Sequence, residues 1–289
     1  MTANLELPNE FTDELVSLVA SDRGGRGVSK LCTGGHWLRA SAILSSLRRV
    51  AIVSGFFVPK AGAPETDGPG GALLLARAFY EEGRESEVWT DSLCVEAFKE
   101  CAKSIGFPTQ LVKVPDVNVV LDEYKPDGIV FTERLGRASD GKYYNIRKKD
   151  ISEWTTPLDE LALKAAKSGI ATVGIGDGGN EVGMGNFYNE LSFLLPDYKN
   201  CLSVINVDAA LPVDVSNWGA YALVASLSQL WHNWRGHRGD DERNMLCALK
   251  ACGVVDGISC KPESSVDGFP MDIQISITNQ LYRLWKNFT

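Results

Sequence analysis

Short apolar runs alternate with stretches of helical period along most of this chain. Residues 49–58 form the clearest run: Val50, Ile52, Val53, Phe56 and Phe57 are β-branched or aromatic and predict a buried strand. Further strands are predicted at 87–90, 111–114, 128–131, 170–173 and 201–207. Helical patterns separate them. Residues 92–104 place Val95, Phe98 and Ala102 on one side, and residues 156–168 do the same with Leu158, Leu161, Ala162 and Ala165. Thr156-Pro157-Leu158-Asp159 reads as a capped helix start. Other helices are expected at 10–20, 36–47, 72–82, 119–124, 217–230 and 241–252, with a last one running through Trp285. Strands alternating with helices predict an α/β fold with a mainly parallel central sheet and helices on both faces. Residues 1–30 read as an N-terminal helix and linker, and residues 31–289 as a single α/β domain.

A chain of 289 residues buries a substantial core without staples. The formal charge of −8 argues against nucleic acid and anionic membrane as partners. Seven cysteines, odd in number and without a CxxC pair, suit reduced thiols in a cytoplasmic protein. No run approaches the length of a membrane span, and the acidic start has no signal-peptide character.

Chemistry concentrates in the loops that follow the strands. Residues 174–186 hold six glycines in thirteen positions, too many for a core helix, and place Asp177, Asn180 and Glu181 close together. Oxygen ligands without sulfur or imidazole favour a hard cation, Mg²⁺ or Mn²⁺ first and Ca²⁺ as an alternative. Glu65 and Asp67 stand beside Gly70 and Gly71, where a glycine-rich turn opens a helix and its free N–H groups could hold an anion. Residues 132–147 follow no period; Arg134 and Arg137 could fork onto a carboxylate or phosphate, with Tyr144 and Asn145 nearby. Asp208 ends the run at 201–207. In open parallel sheets ligands bind at the strands' C-terminal edge, so the acidic loops are expected to gather there. The expected metal ligands are Asp67, Asp177 and Glu181, with Glu65, Asn180 and Asp208 in or next to the set. Glu133, Glu181 and Asp177 are the candidate catalytic groups.

Four motifs together resemble the D-glutamate cyclase C-terminal-domain-like family. They are Glu65-Thr66-Asp67-Gly68-Pro69, the stretch from Glu133-Arg134 to Asn145-Ile146-Arg147, Gly176-Asp177-Gly178-Gly179-Asn180-Glu181, and Ser216-Asn217-Trp218-Gly219. The likeness covers residues 30–270 or so. It implies a lyase, since the family's eukaryotic namesake converts D-glutamate to 5-oxo-D-proline and water. There the domain follows a hydro-lyase-like domain to which nothing in these 289 residues corresponds. A separate hydro-lyase-like protein or a second copy of this chain is therefore a candidate partner.

Two other readings compete with a metal-dependent enzyme of a small anionic metabolite. One is a metal-assisted phosphate-ester or nucleotide enzyme. Gly174, Gly176 and Gly179 fit a dinucleotide-binding pattern after a strand, but Asp177 would face the pyrophosphate, so no nicotinamide or flavin is expected. The other is a non-enzymatic protein that binds a metabolite or metal, in keeping with the absence of a recognisable nucleophile–base pair.

Overall fold

A computed structural model describes residues 7–289 of the chain. Six strands form one parallel sheet: β1 (Arg49–Val53), β2 (Glu85–Trp89), β3 (Val112–Lys113), β4 (Gly128–Thr132), β5 (Ala171–Gly176) and β6 (Ala209–Pro212). Their order is β3-β2-β1-β4-β5-β6. The chain winds outward from β1 to β3, returns to pair β4 with the other side of β1, and continues to β6. The winding direction reverses between β1 and β4, which opens a crevice at their C-terminal ends.

The helices are α1 (Asn9–Val19), α2 (Gly34–Ser45), α3 (Pro69–Glu81), α4 (Val95–Ser104), α5 (Val120–Tyr124), α6 (Glu160–Ser168), α7 (Tyr188–Leu194), α8 (Ser216–Leu230), α9 (Gly239–Ala251) and α10 (Met271–Asn287). The period-two alternation of the strands sorts them into layers. Val50, Ile52, Val130, Val173 and Ile175 join the larger core with α1 to α4 and α8 to α10. Ala51, Val53, Ile129 and Phe131 join a smaller core with Val120 of α5 and Leu161 and Ala165 of α6. Helices therefore cover both faces, as the alternating pattern predicts. Phe11, Leu15 and Val19 of α1 belong to the larger core, so the first described helix is part of the packed body.

Every residue of α8 is buried. A helix without a polar stripe has to lie inside the protein, and α8 packs directly against α3 on the same face of the sheet. Two glycines of α3 allow that approach. A Cβ on Gly71 would stand 2.8 Å from Cβ of Ala220 and 3.1 Å from Cα of Asn217. The N–H groups of Gly68 and Gly71 donate to Oδ1 of Asn217 at 3.0 and 2.7 Å. Gly70 and Gly71, expected as substrate-binding positions, thus serve helix packing, and an amide side chain takes the place of the anion.

Other expectations shift for local reasons. The run at 201–207 is not a strand: Pro196–Cys201 is a 3-10 helix, extended chain follows, and β6 begins at Ala209. Asp208 therefore precedes a strand instead of following one. Helix α6 starts at Glu160 instead of Pro157, because the turns before it close i to i+3, with Glu160 N–H on Pro157 O at 3.2 Å and Leu161 N–H on Leu158 O at 3.1 Å. The run at 49–58 splits at Ser54, and Phe57–Val58 pairs with Ala63–Pro64 in a small ribbon. The seven cysteines are free thiols; Cys32, Cys94, Cys101 and Cys201 are buried, while Cys247 and Cys252 are exposed. Among the described residues no helix is long and apolar enough to cross a membrane.

The α3–α8 contact has a direct test. Gly71→Ala should destabilise the protein by about 1–3 kcal/mol through overpacking, read as a lower denaturation midpoint in urea. An unchanged midpoint would mean that the two helices have room to spare.

Candidate functional site

Three strands deliver carboxylates to the crevice. The loop after β1 carries Glu65 and Asp67, the first residue after β4 is Glu133, and the loop after β5 carries Asp177 and Glu181. Asp267 arrives from the turn between Ser265–Val266 and Phe269–Pro270. The five from the strand loops are at most 7% exposed, and the side chain of Asp267 is 8% exposed. Glu65, Glu133, Asp177, Glu181 and Asp267 line a narrow cleft with a cavity volume of about 50 Å³. One oxygen each from Asp67, Glu133 and Asp177 lies within 4.8 Å of the others.

Several devices make this crowding tolerable. The first turn of α8 points its free N–H groups at the acids: Ser216 N–H donates to Asp67 Oδ2 at 2.9 Å and Asp177 Oδ2 at 3.0 Å, and Asn217 N–H donates to Asp67 Oδ1 at 2.7 Å. The Ser216 hydroxyl donates to Glu133 Oε2 at 2.7 Å. Arg26 places one guanidinium nitrogen on Asp177 and another on Asp267 at 2.9 Å. Glu181 folds back over its own loop and accepts N–H bonds from Asp177, Gly178 and Gly179 at 3.1, 2.6 and 2.8 Å.

The compensation is incomplete. Burial pushes the carboxyls of Glu65, Asp67 and Glu133 well above the usual carboxylate range, and neighbouring acids push them further. Burial also raises Asp177 against the pull of Arg26, and raises Glu181 against its three backbone donors. Asp267, buried beside Asp177, is pushed up to about 7. The charge of Glu65 adds to the rise at Glu133.

Backbone geometry at the site is held against local preference. Glu133 has φ 44° and Asp267 φ 53°, both left-handed. Gly68 permits the first of these: its own φ is 103°, and a Cβ there would meet Cβ of Glu133 at 3.1 Å and the Ser54 hydroxyl at 2.8 Å. Left-handed carboxylates at a buried cleft are strain of the kind that functional sites retain.

The expected site residues separate into those the fold gathers and those it does not. Glu65, Asp67, Glu133, Asp177 and Glu181 meet at the cleft, and Asn180 and Asn145 line it. Asn180 spends its amide on the carbonyl of Tyr144 at 2.8 Å. Tyr144 donates its hydroxyl to Asp140, away from the acids. Asp208 lies at the opposite edge of the sheet, where it accepts from Thr172 N–H at 2.8 Å, and it takes no part in the cleft. Arg134 is fully buried on Asp91 and on the carbonyls of Gly55 and Thr156. Arg137 is clamped by Asp159, with Nε to Oδ2 at 2.6 Å. Neither arginine is among the residues that line the cleft. Arg26, Ser216, Asn217 and Asp267 are site residues that the sequence reading did not select. Asp267-Gly268 repeats the acid–glycine pairing of Asp67-Gly68 and Asp177-Gly178, which was the available signal. Residues 22–27, part of the segment expected to be an N-terminal helix and linker, fold inward and bring a cation.

Oxygen donors alone, in a buried cluster with a net negative charge, fit a hard divalent ion, and Asp67, Glu133 and Asp177 are the residues that could hold it. A phosphate cradle fits poorly. The N–H groups of the glycine-rich loop that would bind a pyrophosphate are spent on Glu181.

Fold and cleft together define a doubly wound α/β protein with a buried carboxylate site at its topological switch. The family model described as D-glutamate cyclase-like, C-terminal, matches residues 15–282, and the chain belongs to that family. It is similar to the curated human protein "D-glutamate cyclase, mitochondrial" (Homo sapiens), with 33% identity over 238 residues. The match covers 75% of this chain and 39% of that protein, so the chain spans about two-fifths of the relative's length.

The raised carboxyls set a pH dependence for the ion-free protein. A folded-state value of about 7 for Asp267, above its ordinary 3.8, means that the folded protein binds the proton more tightly than the unfolded chain. That contribution is complete below about pH 4 and is lost as pH rises towards 7, by up to about 1.4 kcal/mol per pH unit. Urea unfolding of wild type and Asp267→Asn across pH 4–8 should show a shallower loss in the variant. Parallel curves would remove Asp267 from the proton balance.

Proposed function

We propose that this chain is a divalent-metal-dependent lyase of the D-glutamate cyclase type, converting D-glutamate to 5-oxo-D-proline and water. The observation that carries the reading is the buried trio Asp67, Glu133 and Asp177, found in a member of this family at the edge of the sheet where ligands bind. The identity with a D-glutamate cyclase supports the choice of substrate.

The reaction makes two demands. The substrate's ammonium must lose two protons as nitrogen bonds to the side-chain carboxyl carbon, and one oxygen of that carboxylate must leave as water. A bound divalent cation would supply Lewis-acid polarisation of the carboxylate. The chain's own groups move the protons. Glu65 and Glu133 both have raised carboxyls, so an ionised one can take a proton from nitrogen while a protonated one donates to the departing oxygen. Carboxyls raised in this way are stronger bases when ionised than an ordinary glutamate. Ser216 orients Glu133 through its hydroxyl. Mg²⁺ and Mn²⁺ are the ions preferred for this oxygen set.

Chiral chromatography of D-glutamate incubated with the protein and Mn²⁺ or Mg²⁺ is the test. Product from wild type is expected, with loss on chelation and a fall of at least about 100-fold in Glu133→Gln. Absence of product with either metal would move the chemistry to the part of the longer relative that the match does not cover.

The metal part can be checked separately. Binding among protonated carboxyls releases protons, so affinity rises with pH. Mn²⁺ should therefore raise the melting temperature more at pH 8 than at pH 5.5, and Asp177→Asn should abolish the shift. Equal shifts at both pH values, or a shift retained in Asp177→Asn, would place the ion elsewhere.

A further inference from the structure

An acidic cleft needs a cation to hold an anionic substrate, and the arginines near it differ in what they have left to give. Arg134 and Arg137 are committed to Asp91 and Asp159. Arg26 has one nitrogen on Asp177 and another on Asp267. Arg147 also lines the cleft, and among the described residues it makes no ion pair. Its guanidinium touches only two carbonyls, Ile258 O from Nη2 at 2.8 Å and Gly257 O from Nη1 at 3.5 Å. A guanidinium has five N–H donors, so more than half of them are free for a ligand.

The base of Arg147 is fixed. Oδ1 of Asn145 accepts N–H bonds from Arg147 at 3.0 Å and Lys149 at 3.1 Å. Lys148, at φ 59°, closes the turn with its N–H on the carbonyl of Asn145 at 2.9 Å. Tyr198 pins the same carbonyl at 3.0 Å. The bonds to residues 257 and 258 tie this turn to the segment that leads to Asp267. Ile146 and Ile258, both exposed, flank Arg147 at the rim and suit the methylene chain of a short dicarboxylate.

We infer that Arg147 is the specificity-determining residue of the cleft, a guanidinium at its mouth that takes one carboxylate of a small dicarboxylate ligand. The assignment rests on the reading of this cleft as a site for a glutamate-like substrate. Arg147 binds the end of the molecule that does not react, so its role is positioning, and the reacting carboxylate goes to the acid-lined floor.

Glutarate is the probe, because it has both carboxylates of glutamate and no amine to cyclise. Calorimetric titrations of glutarate into wild type, Arg147→Met and Arg147→Lys, each with and without Mn²⁺, read the inference directly. Charge-assisted bidentate bonds of this kind lead to an expected loss of roughly 10–100-fold in glutarate affinity for Arg147→Met, with part of it regained in Arg147→Lys. Mn²⁺ affinity and melting temperature should stay at wild-type values in both variants. The inference is overturned if wild type does not bind glutarate, if Arg147→Met binds it as wild type does, or if glutarate and Mn²⁺ affinities fall together. Turnover is scored apart from this: glutarate binding lost in Arg147→Met, with no product from D-glutamate, would retire the cyclase reading and keep the anion site.

Discussion

The constraint on which this structure turns is the burial of six carboxyl groups around one guanidinium. An isolated buried carboxylate costs several kcal/mol even after relaxation, and like charges add to that. The fold answers with fixed partners. The first turn of the wholly buried helix α8 aims its N–H groups at Asp67 and Asp177, Arg26 bridges Asp177 and Asp267, and the loop of Glu181 supplies three donors from its own backbone. What remains uncompensated shows as raised carboxyls at Glu65, Asp67 and Glu133. A site in this condition is poised to exchange protons for a cation.

That arrangement depends on the sheet. The reversal of winding between β1 and β4 leaves their C-terminal ends free of a crossing connection, so loops from β1, β4 and β5 can converge. Convergence requires the α3–α8 approach that Gly71 allows and the left-handed turn that Gly68 allows beside Glu133. The helix that closes the core is thus the same helix that holds the acids, and packing and electrostatics cannot be separated here. A substitution that pushes α8 outward would withdraw Ser216 and Asn217 from the carboxylates as well.

The strands, most helices and the convergence of acids at one edge were legible because they rest on local signals: period, β-branching, and glycine beside aspartate. The misreadings share a different cause. Arg134, Arg137 and Arg147 lie in one irregular stretch, and the residues that decide their fates, Asp91 for the first and Asp159 for the second, are distant in sequence or hidden in a helix start. Asp208 falls outside the cleft because the apolar run at 201–207 bonds to the loops at 137 and 179–185 instead of to a strand, so the strand begins one residue after the acid. Arg26 was invisible for the opposite reason. A glycine-rich segment reads as a linker, yet it is held by Asp214, whose carboxylate accepts the N–H groups of Ser21 and Asp22 at 3.0 and 2.8 Å. Long-range pairing between side chain and backbone leaves no periodic trace.

The strand order is one that dinucleotide-binding proteins also use, and the contrast shows where function is written. In those proteins a glycine-rich turn leaves its N–H groups free and a helix N-terminus faces a phosphate. Here the glycine-rich turn follows β5, its N–H groups are satisfied by Glu181, and the helix N-terminus that faces the cleft, that of α8, is filled by Asp67 and Asp177. These two donor sets are therefore occupied by the protein's own carboxylates. Self-occupation reverses the sign of the cleft: a surface that would otherwise attract phosphate becomes a ligand set for cations. On the reading proposed above, the positive charge that admits an anionic substrate comes from a divalent ion held at the floor and from Arg147 at the rim.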